Sequence, residues 1–140
     1  MTEATLTKTI FIKATPERVW TYLVDPDKLA RWFHEGDAPL EAGKDFALLT
    51  EHEDRADRRL CWGKVLVSEP PKRLVYTFTH NSLKGHETEV EWRLEPAFGG
   101  TQVTLVHTGF ETFDGDVLEM LTSHDKGWDD HFRRLRMVAS

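Results

Sequence analysis

An amphipathic stripe near the C-terminus constrains this chain more than any other feature. Val117, Met120, Leu121, His124, Trp128, His131, Phe132, Leu135 and Val138 recur every three or four residues. That is the spacing of one face of an α-helix, so the pattern predicts a long helix beginning after Phe113-Asp114-Gly115-Asp116 and running to about Val138. The rest of the chain must supply the surface that covers this face. Gly127 lies inside the segment. A glycine there costs about 1 kcal/mol relative to alanine, which a close approach of another group to the helix backbone would explain.

The preceding sequence reads mostly as strands. Residues 5–13 are β-branched and alternating, with Leu6, Ile10 and Ile12 sharing a face. Thr15-Pro16-Glu17 then marks a helix start, with Thr15 as N-cap and Pro16 at the first helical position. Asp25-Pro26 ends that helix and opens a second, which carries Leu29, Trp32 and Phe33, with Gly36 after its end. Strands follow over Phe46–Thr50, Leu60–Ser68, Arg73–His80, Glu87–Glu95 and Thr101–Gly109. A charged hairpin connection is expected over 51–59, and turns at 81–85 and 96–100. Leu74, Tyr76 and Phe78 fall on one face of their strand; Val90, Trp92 and Leu94 do so on theirs. Strands joined by short turns pair antiparallel. The expectation is therefore an α+β domain spanning residues 1–140: a curved sheet of six or seven antiparallel strands wrapped around the long C-terminal helix, with two short helices after the first strand.

Composition narrows the function. The net charge of -6 is a poor match to a phosphate backbone, so no nucleic-acid partner is expected. Arg133, Arg134 and Arg136 are read as complementing a helix C-terminus. No apolar run is long enough to span a bilayer, so no membrane insertion is expected. One cysteine, Cys61, and no visible signal peptide lead to a cytoplasmic expectation. Five Trp and eight Phe are many for 140 residues and suit either an aromatic core or the walls of an apolar site.

An ordered set of motifs resembles a known family. Ile12-Lys13-Ala14-Thr15-Pro16-Glu17-Arg18-Val19-Trp20, then Asp25-Pro26 and Leu29-x-x-Trp32-Phe33, is similar to the start of a START-like domain of the SRPBCC superfamily. Gly63-x-Val65, Glu69-Pro70-Pro71-x-Arg73-Leu74-Val75, Thr88-x-Val90, Leu94-Glu95-Pro96, Gly100-Thr101-x-Val103-Thr104-Leu105, His107-x-Gly109-Phe110 and Gly127-Trp128 resemble one branch of it. That branch is related to the C-terminal domain of the activator of the heat-shock protein 90 ATPase. The resemblance implies a helix-grip fold with a cavity between sheet and final helix. It implies no single activity, since the superfamily holds carriers, aromatic cyclases and a co-chaperone domain. The activator's N-terminal domain, and its chaperone contacts, are not expected here.

Three functions follow as alternatives. The first is a binding module for a small apolar or aromatic molecule, walled by Trp32, Phe33, Phe46, Trp62, Tyr76, Phe78, Trp92, His107, Phe110, Met120, His124 and Trp128. The second is a cyclase or hydratase using His107 or Tyr76 for proton transfer; His107 has the parity of Val103 and Leu105 and so faces inward. The third is a stress-related protein that contacts a chaperone. No cofactor is expected. His124 and His131 stand two helical turns, about 10 Å, apart, too far to share a metal. A monomer or homodimer is expected.

Overall fold

The computed structural model describes residues 4–49 and 59–140. Strand β1 (Leu6–Ile12) leads into α1 (Pro16–Val24) and α2 (Pro26–Trp32). There follow β2 (Glu35–Gly36), β3 (Asp45–Leu49), β4 (Arg59–Glu69), β5 (Arg73–His80), β6 (Thr88–Ala97) and β7 (Gly100–Thr108). The chain ends in α3 (Val117–Ala139). The seven strands form one curled antiparallel sheet in the order β1-β7-β6-β5-β4-β3-β2.

The helix starts obey local chemistry. The Thr15 hydroxyl accepts from the Arg18 amide at 3.2 Å, and Pro16 opens α1. Asp25 closes α1 and caps α2, its carboxylate accepting from the Asp27 amide at 3.0 Å. Asp116 caps α3 through the Glu119 amide at 3.0 Å. Helix α2 stops one residue earlier than its apolar pattern suggested, with Phe33 as C-cap. Gly36 belongs to β2, a two-residue strand too short to show any alternation.

Two other expectations are corrected. The turn expected over 96–100 shrinks to Phe98-Gly99, both at positive φ (48° and 85°), as a tight hairpin requires. Pro96 therefore sits inside β6, opposite Thr101. Pairing of β6 with β5 ends at Arg73 opposite Arg93, so Pro96 has a strand on one side only and its missing N–H breaks no inner ladder. The charged connection expected over 51–59 lies, except for Arg59, outside the described residues.

Bulges in β4 curl the sheet, at Leu48/Leu49 opposite its start and at Val65/Val67 within it. Gly63 allows β4 to press against β5 there, since a β-carbon would collide with the Thr77 carbonyl.

The sheet closes on α3 unevenly. The buried residues of α3 are Trp128, Phe132, Leu135 and Ala139, all in its C-terminal half. They pack with Trp32, Trp92, Leu74, Tyr76 and Val103 in one continuous core. The indole N–H groups of this region are satisfied, Trp32 donating to the Tyr22 carbonyl (2.8 Å) and Trp92 to the Tyr76 hydroxyl (3.0 Å). Short helix α1 ties down the end of α3: Arg18 Nε donates to the Ala139 carbonyl (2.9 Å), and the Tyr22 hydroxyl to that of Val138 (3.1 Å). Over the N-terminal half, Met120, Leu121 and His124 are only half-buried. Lys8 of β1 holds this stretch by ion pairs to Asp125 and to Asp129 (2.9 Å).

Candidate ligand-binding site

Where α3 is less buried, a cavity of about 460 Å³ opens between it and the sheet. Its walls come from four places: Phe33 and His34 after α2; Leu60 and Cys61 of β4; Phe78 and His80 of β5 with Asn81 and Ser82; and Glu119, Met120, Ser123, His124, Gly127, Trp128 and His131 of α3. The α3 positions follow 3- and 4-residue steps, so one helix face forms one wall. Phe33, Phe78 and Trp128 make a continuous aromatic surface, with ring centroids 5.3 to 6.3 Å apart.

Gly127 sits in the middle of the helical wall, and among the described residues a β-carbon added there would meet nothing within 4 Å. The close backbone approach expected at this residue is not found. Glycine instead leaves the cavity side of α3 open.

The histidines around the cavity have proton positions fixed by their partners. The Met120 carbonyl lies 2.7 Å from His124 Nδ1. A carbonyl only accepts, so His124 carries its proton on Nδ1 and offers a lone pair at Nε2. His80 Nε2 lies 2.8 Å from that atom and donates to it. Arg134 reaches over from α3, donating from Nε to the Trp32 carbonyl (3.2 Å) and from Nη2 to His131 Nδ1 (2.6 Å). His131 Nδ1 also lies 3.3 Å from the Trp32 carbonyl, but the guanidinium contact is much the shorter and a guanidinium only donates, so this geometry assigns the His131 proton to Nε2. Arg134 thus complements the C-terminus of α2, a neighbouring helix, rather than that of its own.

Behind the cavity wall, Trp128 Nε1 donates to His107 Nδ1 at 3.0 Å. His107 Nε2 donates to the Thr88 hydroxyl at 2.7 Å, which donates to the Phe78 carbonyl at 2.6 Å. Each step has one donor and one acceptor, so His107 is neutral and held at both nitrogens.

Burial sets the electrostatics. It pushes His80 down to about 4, with help from His124. It does the same to His131, with help from His34 and Arg134. His124 is lowered by burial, partly offset by its bond to Met120. His107 lies well below the ordinary histidine range, again chiefly through burial. Burial pushes the Cys61 thiol up to about 12, which leaves it protonated and a poor nucleophile. It raises the Tyr76 hydroxyl as well. Among the described residues lining the cavity, Glu119 is the one acidic side chain, and no lysine or arginine lines it. Among the described residues, no three His, Cys, Asp or Glu side chains gather as a metal-binding set.

Residues 13–140 match the model of the family described as activator of Hsp90 ATPase homolog 1-like protein. The chain belongs to that family. No curated protein matches the sequence. Among solved structures, CalU16 from Micromonospora echinospora is similar, with 27% identity over 99% of this chain and 77% of that one, at a TM-score of 0.77. DynU16, described as a putative protein in the dynemicin biosynthetic locus, shares the fold (TM-score 0.76, 23% identity) over 97% of this chain; the match spans 47% of DynU16. The Aha1 dimer from Colwellia psychrerythraea shares it too, with 20% identity over 96% of this chain and 95% of that one, at a TM-score of 0.74. Among the described residues no helix is long and apolar enough to cross a membrane.

Within this family member, the candidate wall residues separate into groups. Phe33, Phe78, Met120, His124 and Trp128 line the cavity. Trp32, Phe46, Tyr76 and Trp92 lie in the packed core and do not reach it. Phe110 packs in a second small cluster with Ala4, Leu83 and Phe113. His107 stands one side chain behind the wall. Trp62 is on the other face of the sheet, because it pairs with Ala47 and Thr79, whereas its neighbour Cys61 pairs with Leu48 and His80 on the cavity face. The Arg59 guanidinium lies over the Trp62 ring, 4.7 Å from its centre.

His34, His80, Cys61 and Gly127 were not picked from the sequence as wall residues. A signal existed for His80: it continues the parity of Tyr76 and Phe78. None existed for Cys61 over Trp62, since a strand with a bulge does not keep its alternation.

Proposed function

We propose that this domain binds a small apolar or aromatic molecule in the cavity beside the N-terminal half of α3. The observation that carries this reading is Gly127. A residue that costs the helix about 1 kcal/mol sits centrally in the wall, and among the described residues nothing comes within 4 Å of where its β-carbon would stand. The cavity falls within the range of about 300–1,000 Å³ common for small-molecule sites, and its aromatic walls suit a flat ring.

The cyclase or hydratase reading has weaker support. His107 has both nitrogens engaged within the protein, and the Tyr76 hydroxyl accepts from Trp92 inside the packed core. The chaperone-contact reading rests on family likeness alone.

Native mass spectrometry of the freshly purified protein, followed by a thermal-shift screen of aromatic molecules, tests the proposal. Retained mass or a ligand-induced shift is expected in the wild type and is weakened or lost in Gly127→Leu, whose side chain takes up part of the space beside the aromatic wall. A shift that survives in Gly127→Leu, or no binding in the wild type, counts against it.

A further inference from the structure

The geometry points to a ligand that donates a hydrogen bond, from an aromatic hydroxyl or ring N–H, to Nδ1 of His80 at the cavity wall. This rests on the ligand-binding reading above and goes further by naming the polar group the ligand carries and the atom that receives it.

Three groups in line fix the His80 tautomer. The Met120 carbonyl takes the proton on His124 Nδ1 at 2.7 Å, which leaves His124 Nε2 as a bare lone pair. His80 Nε2 stands 2.8 Å from that lone pair. The ring centres are 5.0 Å apart, farther than the nitrogens, so the rings meet edge to edge with the two Nε2 atoms facing each other. One proton lies between them, and it belongs to His80. A neutral His80 then has no proton for Nδ1, which is left as an acceptor. Burial keeps the ring neutral, pushing it down to about 4.

That acceptor is open. Among the described residues His80 Nδ1 has no hydrogen-bond partner. The one sealed-off side-chain nitrogen or oxygen without a partner among them is Thr79 Oγ1, so His80 Nδ1 is not closed inside the protein. His80 lines the cavity, and its ring centre is 5.8 Å from that of Phe78. An aromatic ring lying against Phe78 therefore has its edge beside His80.

The other polar wall groups make a weaker demand. Asn81, Ser82 and Ser123 both donate and accept. His131, two helical turns from His124, is engaged by Arg134 at Nδ1, and His34 lies against it with ring centres 5.5 Å apart. Glu119 accepts, but it is exposed, so water serves it as well as a ligand does. His80 Nδ1 pairs only with a donor. A ligand that covers it without one strands the lone pair away from water, which costs binding. A donor at Nδ1 also polarises the ring and strengthens the bond from Nε2–H to His124.

The test is fluorescence titration at pH 7.5 of 2-naphthol and its methyl ether, 2-methoxynaphthalene, which share a ring system and differ in the donor. The wild type is expected to bind 2-naphthol more tightly by about fivefold or more, the worth of one neutral hydrogen bond. His80→Phe, which keeps a ring in the wall, is expected to reduce that ratio by about threefold or more. A smaller wild-type ratio, or a smaller reduction in the variant, would overturn the proposal while leaving the ligand-binding reading intact. Binding of neither probe would overturn both. Nitrogen NMR of the wild-type imidazoles needs no variant. His80 should carry its proton on Nε2, and its Nδ1 signal should move with 2-naphthol and not with the ether. A proton on His80 Nδ1, or an equal movement with both probes, would overturn the proposal.

Discussion

The two halves of α3 lie against the same sheet and are built from the same kinds of residue, yet one half is packed and the other is open. Trp128, Phe132, Leu135 and Ala139 are buried against Trp32, Trp92 and Tyr76. In the two turns or so before Trp128, Met120, Ser123, His124 and Gly127 border a cavity of about 460 Å³. Aromatic content does not separate the halves, since Trp128 and Phe78 belong to both core and wall and Phe33 of the wall packs against the core. Side-chain size on the helix does. In the packed half the inward positions carry Trp, Phe and Leu, with a small residue, Ala139, only at the very end. In the open half two of them carry serine and glycine.

The largest effect should come from breaking the packed half. Trp92 contacts Trp32, Trp128 and Phe132 at centroid distances of 5.6 to 5.7 Å and donates to Tyr76. Trp92→Ala is expected to lose about 3–5 kcal/mol in urea unfolding. A loss below about 2 kcal/mol would mean the packed half tolerates a cavity as readily as the open half does.

Acid is expected to act next. His131, held at about 4 in the folded protein against 6.5 as its ordinary value, binds a proton in the unfolded chain first. Folding stability is therefore full above about pH 6.5 and falls as pH drops towards 4, by up to about 3 kcal/mol from this residue. The groups acting on it are His34, Arg134, Asp130 and the Trp32 carbonyl. His131→Phe should reduce the pH dependence between 6.5 and 4, the remainder coming from His80, His107 and His124; an unchanged slope would remove His131 from the account.

Trp128 joins the two halves, and Trp128→Phe sharpens the comparison. It keeps a ring in the wall but leaves His107 Nδ1 without its donor, at a cost of about 2 kcal/mol. His107 should then titrate at higher pH than in the wild type, as read from its imidazole NMR signals. An unshifted titration would mean the Trp128 bond does not fix its tautomer.

Much of the fold was legible because each element left its own period in the sequence. The 3- to 4-residue stripe gave α3, Thr15-Pro16 and Asp25-Pro26 gave the short helices, and alternation gave β5, β6 and β7. Two-residue β2 left no period to read, and Pro96 hid the last residues of β6. The site was legible only in part. Periodicity tells which face of an element points inward, and it brought Phe33, Phe78, Met120, His124 and Trp128 to the cavity. It does not tell how far along the element the interior stays filled. Trp32, Tyr76 and Trp92 share those inward faces and fill space instead of bordering it. Gly127 was visible as an anomaly, but whether a neighbour pressed on it or nothing did required the three-dimensional arrangement.

The central claim is that the space beside the N-terminal half of α3 is built into the fold and not closed by neighbouring side chains. Urea unfolding of Gly127→Leu tests it most directly. If the space is open, leucine gains helix propensity and meets no collision, so stability should stay level or rise by about 0.5–1 kcal/mol. A loss of about 2 kcal/mol or more, the signature of overpacking, would contradict the account.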